Sequence, residues 1–465
     1  MGTIRLFNHY IKRAFLVLAF WEAAILLSSI WLAAFIRFTG DHQLVQENLG
    51  LFWPKAVVYA AVVAMALIAA GLYRRRQRYG LLGIFNRLVV TMLVAGPVMA
   101  VIFYLVPELY LGRGILVLSI IISFLALLLS RSFFLYLMGL QGLQRRLLIL
   151  GAGKRATSVS TLRRRSDRLG IDIVGYVPLP DEAIQIPEER LVEVDSSLQE
   201  YVAGEGIDEI VVAADERRGR LPSDELLNCR MAGVEITDVL DFFEQTTGKL
   251  KIDVMYPSWL LFSVGFRRHF LRQVGKRIFD VTVSLVLLVF CSPLMLFAVV
   301  AIWSESGRPI LYRQRRVGAK GKPFYIFKFR TMRQDAEADG KARWAASGDP
   351  RITRVGRWLR RTRIDELPQI FNILQGDMSF VGPRPERPEF VETLAEKLPY
   401  YGERHRVKPG LTGWAQICYP YGSTEKDAFE KLQYDLYYVK NYSLFLDLMI
   451  LLQTVEVVVL GKGAR

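Results

Sequence analysis

The run Phe279–Trp303, FDVTVSLVLLVFCSPLMLFAVVAIW, decides how this chain meets a membrane. It exceeds the about 20 apolar residues that a helix needs to cross a bilayer. Its flanks argue against a crossing. Lys276 and Arg277 precede it, while Arg308, Arg313, Arg315 and Arg316 follow it. A spanning helix would carry one basic cluster to the outer side, against the positive-inside rule. The middle of the run offers an alternative. Pro293 lacks an amide hydrogen and kinks a helix, and the hydroxyl of Ser292 can satisfy the carbonyl so freed. A helix over about 279–303 that enters the bilayer, bends at Ser292-Pro293 and returns keeps both clusters on one side. Asp280, near the entry, is then expected to pair with Arg277 at the interface.

Toward the N-terminus, four apolar stretches run from Ala14 to Ile36, Ala56 to Tyr73, Leu88 to Val106 and Ile115 to Leu137. Each approaches the length of a bilayer span. Arg5, Lys12 and Arg13 precede the first, Arg74, Arg75, Arg76 and Arg78 follow the second, and Arg131, Arg145 and Arg146 close the fourth. This distribution predicts a four-helix anchor over residues 1–140 with both ends in the cytoplasm. Mid-span ionisable residues, the mark of a conduction path, are not expected. The composition agrees with a membrane protein: 465 residues, 52% hydrophobic, with a formal net charge of +15 and a mean hydropathy of +0.24. So basic a soluble chain would suggest nucleic acid. With this apolar content, an anionic membrane surface or a phosphate-rich substrate is expected instead, and no nucleic acid. Cys229, Cys291 and Cys418 and the four histidines are dispersed, which predicts neither a zinc site nor a disulfide framework. The first apolar run is long and has no small-residue cleavage pattern, so no cleavable signal peptide is expected.

Arg146-Leu147-Leu148-Ile149-Leu150-Gly151-Ala152-Gly153-Lys154-Arg155-Ala156 reads as an apolar strand entering G-x-G-x-x-A and a polar helix, a Rossmann-like opening. Further strands are expected at Ile171 to Val177, Glu209 to Ala213 and Gly233 to Thr237, giving a parallel α/β domain over 141–250. The second strand should end on an acid that holds a ribose, but Gly175-Tyr176-Val177-Pro178 stands there. No cofactor-binding residues are therefore assigned, and the module is read as structural or regulatory. The linker 251–275 carries Tyr256-Pro257-Ser258-Trp259-Leu260-Leu261-Phe262, then Arg267, Arg268, His269 and Arg272. Aromatics beside cations suit a segment lying on a membrane, and a packed strap between domains is an equal reading.

The segment 276–465 holds the densest chemistry. Arg351 to Arg361 reads as an amphipathic helix with Val355, Trp358 and Leu359 on one face. Arg360-Arg361-Thr362-Arg363-Ile364-Asp365-Glu366-Leu367-Pro368-Gln369 follows, with two adjacent carboxylates among arginines, and a short helix is expected over Leu367 to Leu374. Acids and proline both suit a first helical turn, so a helix cap explains this window taken alone. Phe327-Lys328-Phe329-Arg330-Thr331-Met332, Gly376-Asp377-Met378-Ser379-Phe380-Val381-Gly382-Pro383-Arg384-Pro385 and Lys408-Pro409-Gly410-Leu411-Thr412-Gly413-Trp414-Ala415-Gln416 change that. Cations, a carboxylate pair and Gly/Pro turns recurring in one region suggest a site for a phosphorylated substrate. The tail Ser443 to Leu460 is apolar but carries Asp447, Gln453 and Glu456, and is expected to lie along the membrane or pack on the domain rather than span.

From Lys276 onward the chain resembles the bacterial sugar transferases, the monotopic polyprenyl-phosphate sugar-1-phosphate transferases. The resemblance rests on K-R-I-F-D, K-F-R-T-M, R-I-D-E-L-P-Q, G-D-M-S-F-V-G-P-R-P-E and K-P-G-L-T-G-W-A-Q in this order. The four-span anchor and Rossmann-like domain resemble the large form of the family. R-P-E-R-P-E-F-V, Y-Y-G-E-R-H and the terminal G-K-G-A-R resemble its exosortase-associated, exopolysaccharide-building branch. The resemblance implies transfer of a sugar 1-phosphate from a UDP-sugar to undecaprenyl phosphate, with release of UMP, on the cytoplasmic face of the bacterial inner membrane. It implies Asp365 as nucleophile, Mg²⁺ held by Glu366 with Asp365, and phosphate contacts from Lys328, Arg360 and Arg384. Ser292 and Pro293 match its helix break, and a homodimer fits relatives of this size. Arg330 and Arg363 are assigned to a solvated basic face or a lipid headgroup, and Gln369, Asn372 and Asp377 to bracing the turns. Two other readings are a membrane-tethered nucleotide-sugar dehydratase or epimerase, for which no Tyr-x-x-x-Lys pair follows the Rossmann-like segment, and a non-catalytic assembly scaffold.

Overall fold

The computed structural model describes residues 3–6, 9–41, 43, 45, 50, 52–73, 81–139, 144–160, 171–194, 197–216, 221–263, 265–266, 270–334, 349–419, 422 and 424–459. Arg74, Arg75, Arg76, Arg78, Arg267, Arg268, His269 and the terminal Gly461–Arg465 lie outside them. The chain forms two compact units, Met1–Leu6 with Tyr10–Tyr256 and Phe7–His9 with Pro257–Arg465. Among the described residues, five helices are long and apolar enough to cross a membrane, the last of them Phe270–Ser306.

Four of these helices, Arg13–Arg37, Phe52–Ala69, Leu81–Leu105 and Arg113–Gly139, belong to the first unit. At 1.5 Å per residue they are roughly 27–40 Å long. Leu26, Ile30, Tyr59, Val63, Leu88, Met92 and Leu127 meet in one core. Phe20, Trp21, Leu93, Val101, Leu129 and Phe133 remain exposed. Such a surface is costly in water and suits a hydrocarbon surround. The interior carries the polar groups. Ser123 Oγ donates to Ser29 Oγ and meets the Tyr59 hydroxyl, both at 2.9 Å.

The expectation of no ionisable residue within the spans is overturned here. Glu22, within the first helix, binds Arg131 of the fourth at 2.7 Å, and both side chains are fully buried. Tyr73 also donates to Glu22, and Arg131 donates to the Leu72 carbonyl at 2.8 Å. The charges are tolerated because they are paired with each other and with backbone, which binds the helices together.

Strands Arg145–Leu150, Ile171–Val177, Glu209–Val212 and Glu235–Asp238 form a parallel sheet in which the first strand lies between the second and third. The last strand starts two residues later than its apolar pattern suggests, because Gly233 adopts a positive φ of 97° and turns the chain before it. The G-x-G-x-x-A turn is occupied by the protein's own acids. Ala152 N–H donates to Glu182 at 2.8 Å, and the amides of Lys154 and Arg155 donate to Asp215 at 2.7 and 2.9 Å. A Cβ on Gly153 would stand 2.3 Å from Asp215 Oδ2. These carboxylates take the amides that cradle a pyrophosphate in dinucleotide-binding relatives of this fold, so the turn as built does not fit such a cofactor.

In the second unit, Phe270–Ser306 is one helical stretch with Pro293 inside it. Ser292 Oγ donates to the Val289 carbonyl at 2.9 Å, the acceptor that a residue with an amide at 293 would have used. Arg277 and Asp280 do not pair as expected. Arg277 donates to the carbonyls of Ile373 and Leu374, both at 2.6 Å. Asp280 accepts from Ser379 Oγ at 3.0 Å and Phe380 N–H at 3.2 Å. Each finds a backbone partner that must otherwise stay unsatisfied on burial.

Trp259 is buried beneath Lys440, whose ammonium lies 4.0 Å from the ring centroid. Arg272 lies over Tyr442 at 5.2 Å. The helix Leu444–Val459 packs on its own unit through Asp447, which binds Lys276 at 2.6 Å and accepts from Tyr438 at 2.7 Å. The Glu456 side chain lies outside the described residues.

The Glu22–Arg131 pair supports a direct test by thermal unfolding in detergent. Arg131→Met strands a buried carboxylate and should cost about 3–5 kcal/mol. Glu22→Gln combined with Arg131→Met should recover most of that loss. Equal melting of Arg131→Met and the unaltered chain would show that the pair does not hold the bundle.

Candidate active site

The helix Arg354–Thr362 delivers the acidic pair. Thr353 caps it by accepting from Gly356 N–H at 2.9 Å, and Glu305 accepts from the amides of Arg354 and Val355 at 2.8 and 2.9 Å. Both place negative oxygen at a helix N-terminus, where the dipole favours it. Gly356 lets the helix lie directly on the chain at Thr331, since a Cβ there would meet the Thr331 carbonyl oxygen at 2.1 Å. Leu359 is buried with Phe329, Ile364, Ala298 and Ile302, while Trp358 is half exposed and meets Phe297 edge-on at 5.8 Å.

Arg363 ends the helix in the left-handed region, with φ 61° and ψ 13°. Ile364–Glu366 then forms a single 3-10 turn, and Pro368 caps the next helix, Gln369–Gln375. The acids therefore occupy a separate turn between two helices. Asp365 is 8% exposed, and its Oδ1 is buried without a hydrogen-bond partner. Glu366 Oε1 accepts from Lys328 Nζ at 2.8 Å and from Arg384 at 3.0 Å. Arg360 Nε donates to Thr331 Oγ1 at 2.9 Å.

The two carboxyls differ in consequence. Burial, then the neighbouring Glu366, raises Asp365 above the ordinary aspartate range, against the pull of Lys328, Arg360 and Arg363. Burial would also raise Glu366, but Lys328 and Arg384 outweigh it and hold that group well below the glutamate range. Two adjacent acids are thus driven apart: a firmly ionised Glu366 and an Asp365 that is sensitive to its protonation state. Among the described residues no cluster of three metal-ligating side chains forms.

Lys328 comes from the hairpin Leu311–Val317 and Pro323–Phe329. Asn372, fully buried, accepts from Phe327 N–H at 3.0 Å and donates to the Tyr325 carbonyl at 2.7 Å, which fixes that strand beside the acidic turn. Arg384 comes from the turn after strand Ser379–Val381, which pairs in parallel with Gly410–Thr412. Backbones touch there: a Cβ on Gly410 would lie 2.1 Å from Gly382 N. This close approach explains Gly382, Gly410 and Gly413.

Two arginines depart from the basic-face expectation. Arg330 is 6% exposed and donates to the Ser306 and Gly307 carbonyls at 2.7 and 2.9 Å, closing the end of the long helix. Arg363 is near enough to lower both acids. Thr331 as the partner of Arg360 was legible only in its position inside K-F-R-T-M.

Residues 271–461 match the bacterial sugar transferase family model. A UDP-glucose:undecaprenyl-phosphate glucose-1-phosphate transferase of Xanthomonas campestris pv. campestris is 32% identical over 335 residues, 68% of this chain and 67% of that protein. The chain belongs to the bacterial sugar transferase family. A UDP-N-acetylgalactosamine-undecaprenyl-phosphate N-acetylgalactosaminephosphotransferase of Aeromonas hydrophila is 40% identical over 52% of this chain and 56% of its own length. An undecaprenyl-phosphate glucose phosphotransferase of Komagataeibacter xylinus is 42% identical over 41% of this chain and 37% of its own length. The chain thus spans about half or less of the length of these last two relatives.

Asn372→Ala should leave the Phe327 amide and the Tyr325 carbonyl buried without partners, costing roughly 2–4 kcal/mol. A melting temperature unchanged by this substitution would remove Asn372 as the brace of the Lys328 strand.

Proposed function

We propose that this member of the family transfers a sugar 1-phosphate from a UDP-sugar to undecaprenyl phosphate on the cytoplasmic face of the bacterial inner membrane, releasing UMP. The observation that carries the reading is the buried Asp365–Glu366 turn ringed by Lys328, Arg360, Arg363 and Arg384. The activities for which the relatives are named support it, and a place in exopolysaccharide assembly, resting on the sequence motifs, belongs to the same proposal.

In the proposed first step, an Asp365 carboxylate oxygen bonds to the phosphorus that bears the sugar. The bond from that phosphorus to the bridging oxygen breaks, and UMP leaves with the electron pair. In the second, an oxygen of the lipid phosphate bonds to the same phosphorus and the bond to Asp365 breaks, which restores the carboxylate. A covalent intermediate divides one difficult displacement into two easier ones. The Oδ1 of Asp365 suits the nucleophile because no hydrogen bond engages its lone pairs. Lys328, Arg360 and Arg384 supply fixed positive charge to phosphoryl oxygens, and planar guanidinium matches them well.

The residues fit a magnesium ion. Glu366 and the other oxygen of Asp365, the one not assigned to attack, give the one or two carboxylates it commonly takes beside substrate oxygens and water. Asp365 and Glu366 would hold it, and it would neutralise phosphate charge when bound.

The four apolar helices of the first unit are the proposed anchor, and Phe270–Ser306 the proposed re-entrant element. Two contacts support the latter. Arg277 is tied to Ile373 and Leu374, whereas Ala298 and Ile302 pack in a core with Leu359 and Ile364. Straight helix from Arg277 to Ile302 would measure about 38 Å, whereas the mainly helical chain from Ile364 to Ile373 advances only about 15 Å. A bend at the Pro293 break brings both ends of the helix to one surface. The acceptor phosphate would then meet the site at headgroup level while the soluble donor enters from the cytoplasm.

The decisive measurement is UMP release by the purified full chain with a panel of UDP-sugars, Mg²⁺ and undecaprenyl phosphate. Asp365→Asn should lower turnover by roughly 10⁶-fold, the scale of losing a covalent nucleophile. Retained turnover in that variant would exclude Asp365 from the role. The rate should also fall with decreasing pH through a midpoint above the ordinary aspartate value of about 3.9, because the ionised nucleophile is required and burial raises its pKa. For topology, cysteines placed at both ends of Phe279–Trp303 should be labelled from the cytoplasmic side, and periplasmic labelling near Arg308 would reject the re-entrant helix.

A further inference from the structure

Arg384 reaches the acidic pair from a turn that cannot hold itself. Pro383 and Pro385 flank it and donate no amide hydrogen, yet both are buried with the turn. Buried carbonyls need partners, and each here is met from another segment. Gly410 N–H donates to the Pro383 carbonyl at 3.0 Å, and Val317 N–H to the Glu386 carbonyl at 3.0 Å. The Arg316 guanidinium donates to the Pro385 carbonyl at 3.1 Å. The carbonyl of Arg384 itself accepts from Arg404 at 2.9 Å.

Arg404 is held as firmly as what it holds. It is 7% exposed. It binds Asp435 at 2.8 Å and donates to the Tyr401 hydroxyl at 2.6 Å. Asp435 lies on the helix Glu425–Asn441, which is buried along its second half. One planar fork therefore links that helix, the Tyr401–Arg406 turn and the backbone of Arg384. Its contact is with the Arg384 carbonyl, while the Arg384 side chain carries the contact to Glu366.

We propose that Arg404, locked by Asp435 and Tyr401, is a positioning residue that fixes the Arg384 backbone so that the Arg384 guanidinium meets Glu366. This rests on the transferase reading for its kinetic consequence, though not for its geometry. A misplacement of about 1 Å at such a contact can cost 100-fold in rate. Lysine at 404 keeps the charge but donates from one nitrogen on a flexible stem in place of a rigid fork with two, so it does not reproduce the geometry that meets all three partners.

The test is a double-mutant cycle on UMP release by the full chain. Arg404→Lys should lower kcat roughly 100-fold, the cost of mispositioning, and the same change in an Arg384→Ala background should cost no more than about 2-fold further. A general loss of structure would instead multiply the two effects, and that outcome overturns the proposal. Should Arg404→Lys fail to fold, Arg404→Gln with Asp435→Asn removes the pair together without stranding a buried charge and must show the same non-additivity. A structure of the folded variant gives a readout independent of turnover: Arg384 displaced from Glu366 supports the clamp, and Arg384 still seated on Glu366 overturns it. Failure of the transferase reading appears separately, as full turnover in Asp365→Asn or as no UMP release from the unaltered chain.

Discussion

A buried carboxylate held by two cations organises the catalytic unit. Glu366 Oε1 receives Lys328 and Arg384 at once, and each of the three groups comes from a different segment. Burying any one of them alone would cost several kcal/mol. Together they form a charge cluster that constrains the hairpin, the 3-10 turn and the proline turn to meet at one point. Much of the surrounding detail serves that meeting. Asn372 fixes the strand of Lys328, Glu305 and Thr353 anchor the helix that leads to the acids, and Arg316 and Arg404 hold the turn of Arg384.

The cluster also divides labour between adjacent acids. Glu366 lies among cations and stays ionised, which places negative charge beside Asp365 and adds to the effect of its burial. An aspartate raised in this way, with one oxygen free of hydrogen bonds, is the more basic of the two acids, which suits its ionised form to the attack in the first step of the proposed reaction. On that reaction the membrane supplies the second constraint. The exposed apolar side chains Leu285, Val289, Phe290, Leu296 and Phe297 of the long helix would set its depth in lipid under the proposed topology, where a lipid-borne phosphate and a soluble donor would meet.

The parallel sheet of the first unit illustrates how a fold can persist after its usual ligand site is filled. Its glycine turn keeps the backbone approach of a dinucleotide-binding fold, with Gly151 at φ 121° against the Ala213 carbonyl. Glu182 and Asp215 then satisfy the amides from within. A carboxylate is a sound substitute for phosphate at such amides, because both present anionic oxygens to the same donors.

Much of this protein was legible in its local chemistry. Apolar runs of bilayer length, the strand entering G-x-G-x-x-A and the Asp365–Glu366 window each depend on residues close in sequence, where period, capping and proline geometry act. The sequence alone thus determined the apolar helices, the parallel α/β module and the acidic turn among cations. It did not determine which charges find which partners. Asp280 binds Ser379 and not Arg277, Arg330 closes a helix end, Glu22 pairs with Arg131 across the bundle, and Arg404 reaches the Arg384 carbonyl. Those choices belong to the tertiary structure, because a buried charge is stabilised by whichever opposite charge or backbone group the packing brings within about 3 Å, and sequence spacing carries no record of that distance.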